Sequence, residues 1–400
     1  MPFPASVLSA GIANPLPMTP RELFWLSASV GVSMLGLGII WPLVPLYALD
    51  LGASGFEVGV IIASLNVARG FSAPIVGRLS DRGNRKVYIA AGLMLFSLVA
   101  MLYTLTASVA ALIGVRVIHG ISSVFIVPVA MAMIAQTAPR HRLGSYVGTL
   151  SMAMMLGMGA GPVLGGFIKA GWGLSMAFVT MGALSMVTFL GILVFLPARI
   201  ARSVNTAPQG LPPLGSILRC RYVQALFVVR FFSATGQGAV YTFLPILATR
   251  MALSVSEVGI ILSVNIYLIA ALQIVFGRVA DRHHPVPMMF GGVMLSGLAV
   301  ASIPMMDSFS GILAAGMVMG VANGIAIPGV LVVAAKTGRR LGAGTITSLD
   351  DTARSLGFVA APMLAGIILD TIGLAEVFYS GGALIMAGGV LSAILLKGYR

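Results

Sequence analysis

The residues best equipped for chemistry are few, and apolar sequence surrounds them. Asp350 and Asp351 are followed by Arg354, i+4 and i+3 on a helix, so its guanidinium can reach either carboxylate. Two adjacent side chains project about 100° apart on a helix, so one of the two acids faces any central cavity. A carboxylate in that setting can take up and release a proton as its surroundings change. The plainer role is an ion pair with Arg354, or a bridge to Arg82 or Arg85. Arg116 and His119, three apart, share a helix face, and His119 titrates near neutrality, as a proton relay must. A packing hydrogen bond is its plainer role. Arg69 and Arg230 stand singly in apolar runs, Arg69 about 12 Å from the nearer helix end. A guanidinium out of water binds carboxylate or phosphate through two parallel hydrogen bonds. Asn66, Gln237, Tyr241, Asn265, Tyr267, Gln273 and Asn323 are polar enough to line a cavity, and about half of them have helix-to-helix hydrogen bonds as the simpler use. Covalent catalysis lacks its parts: no H-E-x-x-H, no G-x-S-x-G and no Cys/His cluster occurs, and His283-His284 have only Asp281 nearby. Without a phosphate-binding loop, energy must come from a gradient. The chain reads as a non-enzyme that needs no cofactor and no metal.

Those residues sit in elements that water cannot solvate. Of 400 residues, 58% are hydrophobic and 9% charged, with mean hydropathy +1.03; a soluble domain carries roughly a quarter charged residues. Disorder, a nucleic-acid-binding module and a small secreted fold are excluded. Cys220 stands alone, so no internal disulfide forms. Stretches of about 20 apolar residues, the length of a membrane-spanning helix, occur near 24–47, 55–77, 86–107, 110–135, 144–168, 174–197, 222–248, 255–277, 286–305, 309–335, 344–368 and 375–396. They lack the ten-residue alternation of a membrane barrel. With the N-terminus cytoplasmic, eighteen of the 24 basic residues fall inside, and only Lys169 and Arg250 fall outside. Both termini are therefore expected in the cytoplasm, with the chain in the cell (inner) membrane. The net charge of +13 reads as topology, with anionic lipid headgroups as its partners. The first 20 residues hold five prolines and no basic n-region, so they read as a short cytosolic tail. Ser54-x-x-Glu57 and Ser254-x-x-Glu257 are capping boxes that start helices on the external side. The 24 methionines fill irregular gaps or line a pocket for apolar ligands.

A duplication runs through the chain at an offset of 200. Ser54, Glu57 and Gly59 recur as Ser254, Glu257 and Gly259. Gly77-Arg78 and Asp81-Arg82 recur as Gly277-Arg278 and Asp281-Arg282, and Gly157, Pro162 and Gly166 as Gly357, Pro362 and Gly366. The repeat covers six spans, and an even number preserves orientation. Two parallel halves related by an axis along the membrane normal are a transporter architecture with its site at their interface. The expected layout is a cytoplasmic tail over 1–23, a six-helix bundle over 24–197, a polar, proline-rich cytoplasmic linker over 198–221, and a second bundle over 222–400.

These features resemble the major facilitator superfamily. Gly77-Arg78-Leu79-Ser80-Asp81-Arg82-Gly83-Asn84-Arg85-Lys86 is close to the family loop G-x-x-x-D-R-x-G-R-K. Asn84 stands where the second glycine is usual, and Asn tolerates a left-handed turn there. Leu112, Arg116, His119 and Gly120 are similar to L-x-x-x-R-x-x-Q-G, with His for Gln. Gly157, Gly161-Pro162 and Gly165-Gly166 match the fifth-helix signature G-x-x-x-G-P-x-x-G-G of export antiporters. The glycines allow close helix approach and Pro162 favours a bend. The resemblance implies an all-α membrane fold, twelve transmembrane helices in two pseudo-symmetric six-helix bundles, and alternating access. The loops at Gly77, Asp81, Arg82, Arg85 and Lys86 and at Gly277, Asp281 and Arg282 are then gates, asymmetric because His283-His284-Pro285 replaces the second basic pair. It implies a monomer that exports an amphipathic or drug-like small molecule by proton antiport, like the twelve-helix drug:proton antiporter group. In that scheme Asp350, Asp351 and His119 are candidates for proton coupling. No acidic residue lies within the first six spans, where related exporters often place one. The alternative is a symporter, uniporter or exchanger of organic anions that uses Arg69, Arg116, Arg230 and Arg354.

Overall fold

A computed structural model describes residues 18–138, 142–197, 214–341 and 343–397. The expected tail up to residue 17, linker residues 198–213, and Arg140 and Arg400 lie outside the described residues, as do the side chains of Arg78, Asp81, Arg82 and Asp281. Fifteen α-helices follow one another: α1 (Pro20–Ile40), α2 (Leu43–Asp50), α3 (Gly55–Arg82), α4 (Arg85–Thr104), α5 (Val109–Val124), α6 (Val127–Thr137), α7 (Leu143–Trp172) and α8 (Leu174–Phe195), then the short α9 (Leu214–Arg219), then α10 (Arg221–Arg250), α11 (Val255–Arg282), α12 (Pro285–Ser302), α13 (Phe309–Leu341), α14 (Ala343–Thr371) and α15 (Leu374–Leu395).

Helix starts follow local chemistry. Thr19, Ser54 and Ser254 each accept a hydrogen bond from the backbone of a glutamate three residues on, and that glutamate accepts one from the capping residue's backbone, at 2.7–3.3 Å. Asn84 caps α4, its side chain accepting from the Lys86 N–H at 3.1 Å with φ of −81°. The left-handed turn expected at Asn84 is absent, because the residue is used as an N-cap, where backbone is extended. Two expected spans are each broken near a proline. Pro42 separates α1 from α2, and α5 ends at Val124 just before Pro128 opens α6. Pro162, by contrast, lies inside the continuous α7.

Among the described residues, eleven helical stretches are long and apolar enough to cross a membrane. The twelfth long element, α10, carries Arg230, Thr235, Gln237 and Thr242, which lowers its hydropathy. Two hydrophobic cores form. One is built from residues up to Leu196 around Phe96, Tyr103 and Phe178; the other is built almost entirely beyond Ile217 around Phe243 and Phe378. In the first bundle α1 packs on α7 and α8, α3 on α5, and α4 on α8. In the second, α10 packs on α14 and α15, α11 on α13, and α12 on α13 and α15.

The bundles meet through α3 with α14 and α7 with α11. Adding 200 to α3 gives α11, and adding 200 to α7 gives α14, so these are one contact repeated by a pseudo-two-fold axis. Within the first bundle, a Cβ on Gly157, Gly161 or Gly165 would run into the α1 backbone at Gly31, Gly38 and Ile39, so small residues set that spacing. Between bundles, a Cβ on Gly59 would strike the Pro362 carbonyl, and one on Gly259 the Pro162 carbonyl. These tight crossings lie at the Ser54 and Ser254 end. Toward the basic end, a Cβ on Gly77, Gly148 or Gly277 would meet nothing within 4 Å. The two halves are thus clamped at the Ser54 and Ser254 end.

Candidate functional site

Two connected lobes lie between the halves, of about 240 and 150 Å³, sharing Trp41, Met158, Tyr241, Arg354 and Phe358. The break between α1 and α2 puts Trp41 against Tyr241, ring centroids 4.9 Å apart. Positions 41 and 241 are equivalent under the repeat, and equivalent residues touch only on a two-fold axis. Met158 and Phe358 are a second equivalent pair in the walls. The larger lobe adds Met154 and Met155 from α7 and a polar edge of Arg230, Gln237, Gln273 and Asn323. Gln237 Nε2 donates to Asn323 Oδ1 at 2.7 Å, and Asn323 Nδ2 is buried without a partner among the described residues. The smaller lobe adds Asn66 and Arg69 from α3 and Arg116 from α5.

The two acids have different partners. Asp350 is buried in the second bundle and takes a two-pronged bond from Arg230, Nε to Oδ1 at 2.7 Å and Nη2 to Oδ2 at 2.8 Å. The helical spacing offered Arg354, but Asp350 points across to α10. Asp351 projects the other way, with its side chain 65% exposed, and pairs with Arg354 at 2.7 Å. Arg354 reaches into both lobes and lies over the Phe358 ring, 5.9 Å from its centroid.

Other expected residues stand off the cavity. His119 is fully buried between α4 and α5: its Nδ1 meets the Tyr103 hydroxyl at 3.0 Å and its ring is edge-on to Phe96 at 4.6 Å. Asn265 accepts from the Tyr241 hydroxyl at 3.0 Å and donates to Gly316 O at 2.8 Å, gluing helices and orienting the tyrosine. The Tyr267 hydroxyl donates to Leu156 O at 3.2 Å, at the α7–α11 crossing. Arg85 is buried and donates to the Ala132 carbonyl, and Lys86 Nζ donates to Leu193 O at 2.7 Å. Both loop cations therefore bind inside their own bundle. Arg282 is exposed, and Gly77 and Gly277 face open space.

One interdomain contact was not anticipated. Asp370, at the end of α14, accepts the Gly55 N–H on Oδ1 and the Phe56 N–H on Oδ2, both at 2.8 Å. The Ser54–Glu57 box supplies acceptors for the neighbouring N–H groups, so the first turn of α3 is capped partly by the other half. The equivalent of Asp370 is Ala170, which has no acceptor to offer α11. Trp41 was also missed, although the offset that paired Ser54 with Ser254 also pairs two aromatics at 41 and 241.

The sequence profile of the Major Facilitator Superfamily matches residues 26–225 and again 226–399. An uncharacterized MFS-type transporter of Methanocaldococcus jannaschii is 26% identical, covering 94% of this chain and 98% of its own. The multidrug resistance protein MdtG of Klebsiella pneumoniae is 25% identical over 90% of this chain and 89% of its own. Among solved structures, a bacterial homolog of the human lysosomal transporter Spinster, inward-facing and unoccupied, superposes with a TM-score of 0.77. It covers 96% of this chain and 97% of its own at 16% identity.

Proposed function

This chain belongs to the Major Facilitator Superfamily, a multi-pass membrane transporter of small molecules, and on that footing we propose that it exports an amphipathic molecule in exchange for protons. One observation carries the reading. The cavity is built from both halves and closed by tight backbone crossings at the Ser54 and Ser254 end, with flexible methionines facing aromatic rings across it. Rocking the halves about the Trp41–Tyr241 contact exchanges the closed end for the opposite one. The basic end is cytoplasmic, both termini lie there in the cell membrane, and one chain holds a complete cavity, so the working unit is a monomer. The resemblance to a multidrug resistance protein supports the direction of transport.

Asp351 is the coupling carboxylate of this scheme. It is water-accessible beside the cavity and bound to Arg354, which touches both lobes. Protonating Asp351 releases Arg354, and losing the proton restores the pair. The test is dye efflux from proteoliposomes under an imposed pH step. Wild-type protein should respond to the step; Asp351→Asn should retain binding and lose the response. A full response in the variant removes Asp351 from the mechanism. The second reading, an organic-anion carrier working as symporter, uniporter or exchanger, is favoured by Arg69 and Arg116, which have no carboxylate in their lobe. It predicts transport indifferent to the pH step.

A further inference from the structure

Arg69 and Arg116 bring positive charge into the smaller lobe, and no described residue lining that lobe is acidic. The two adjacent carboxylates of α14 are already committed, Asp350 to Arg230 and Asp351 to Arg354, both at 2.7 Å. Arg69 lies within electrostatic reach of Arg354 and Asp351, but those two form a neutral pair that leaves its charge uncancelled. Arg116 is buried and spends its Nε on the Ile61 carbonyl at 3.2 Å, which fixes the guanidinium without neutralising it. The Arg69 guanidinium makes no hydrogen bond to a described residue. Cations inside a membrane domain cost several kcal/mol unless a counter-charge is supplied, and no described residue lining the lobe supplies one. The repeat sharpens the point: the equivalents of Arg69 and Arg116 are Ile269 and Gly316. The unpaired charge is therefore confined to the smaller lobe, while the walls common to both lobes are Trp41, Met158, Tyr241 and Phe358 with the paired Arg354.

We propose that Arg69 and Arg116 form a head-group subsite for an anion. The transported molecule is an amphipathic anion whose carboxylate, sulfonate or phosphate lies between the two guanidiniums, with its apolar body along the shared aromatic and methionine wall. Guanidinium is suited to the task because it offers paired donors at fixed geometry and is weakly hydrated. The lobe admits a head group from a soluble amphiphile or from an anionic phospholipid. This inference rests on the export reading only in supposing that the cavity ligand is the cargo.

The experiment measures binding to the purified full chain by titration calorimetry, using 2-naphthalenesulfonate and 2-naphthyltrimethylammonium, alike in body and opposite in charge. The sulfonate should bind and the ammonium should not. Arg69→Gln should weaken sulfonate binding at least tenfold without lowering the melting temperature, since Arg69 holds no helix in place. Arg116→Gln removes a helix-to-helix bond, so Arg116→Lys, which keeps the charge, is measured beside it; lysine should retain more sulfonate affinity than glutamine. Displacement of the sulfonate by phosphatidylglycerol but not by octanesulfonate assigns the head group to lipid and upholds the subsite. Equal binding of both probes, or sulfonate binding unchanged in Arg69→Gln, overturns it. Those failures are separable from failure of the export reading. If a pH step drives efflux of a neutral amphiphile while Arg69→Gln leaves sulfonate binding unchanged, only the subsite falls. If sulfonate binding depends on Arg69 but nothing is pumped, only the export reading falls. If neither probe binds and nothing moves, both are overturned.

Discussion

At the residue scale, two neighbouring aspartates divide two tasks. Asp350 is buried and held by both prongs of Arg230, whereas Asp351 is exposed and held by a single bond. Removing one partner of a buried pair strands the other charge, at a cost of about 3–5 kcal/mol. An exposed i,i+3 pair contributes roughly 0–1 kcal/mol. Asp350→Asn should therefore lower the melting temperature markedly, while Asp351→Asn leaves it nearly unchanged. A thermal melt of the two variants side by side checks the ranking, and equal losses would contradict it. The sequence made it legible that the two acids would point apart, because adjacent side chains diverge on a helix. Which faced where was not legible, since Arg230 lies 120 residues away and local spacing pointed to Arg354. His119 shows the same limit: its type suggested titration, and only the packed Tyr103 and Phe96 rings reveal a core residue.

At the element scale, glycine and proline positions carry the interface. A methyl group at Gly59 collides with the Pro362 carbonyl, and one at Gly259 with the Pro162 carbonyl. Backbone cannot yield as a flexible side chain does, so Gly59→Ala and Gly259→Ala should each disfavour the sealed state, and by similar amounts because the axis relates them. Asp370→Ala acts on one crossing only, freeing the Gly55 and Phe56 N–H groups at a solvent-exposed site. At about 1 kcal/mol for the pair, the parted state on that side should gain several-fold in population. The readout is Asn66→Cys in a Cys220→Ser background, labelled by an impermeant maleimide from the Ser54 side. Labelling should rise in all three variants; no rise in any of them would show that these contacts do not hold the seal. The twelve spans were legible because hydropathy and length are local properties. The breaks at Trp41–Pro42 and before Pro128 were not, because a proline inside a helix is tolerated or not according to what packs around it, as the unbroken α7 at Pro162 shows.

At the scale of the whole molecule, the offset of 200 proved to be a spatial operator. It maps α3–α14 onto α11–α7, and Trp41 onto the residue it touches. The duplication was readable from identities alone. The departures from it were harder to read: Asp370 opposite Ala170, Arg69 opposite Ile269 and Arg116 opposite Gly316. A sequence pair that fails to match gives no sign of whether the difference is neutral or is where function resides. Here the scaffold is symmetric and the charge is not.

The aromatic pair on the axis has a practical corollary. A rigid swing displaces atoms in proportion to their distance from its fulcrum, so the indole at position 41 stays nearly still while the rims travel. Its emission should therefore register cargo in contact with it and stay blind to which way the carrier leans. Trp172, far out at the end of α7 and 71% exposed, is the indole suited to follow the swing. Three tryptophans in all leave only Trp25 to be replaced by phenylalanine before occupancy and orientation become two separable optical signals from one unlabelled molecule.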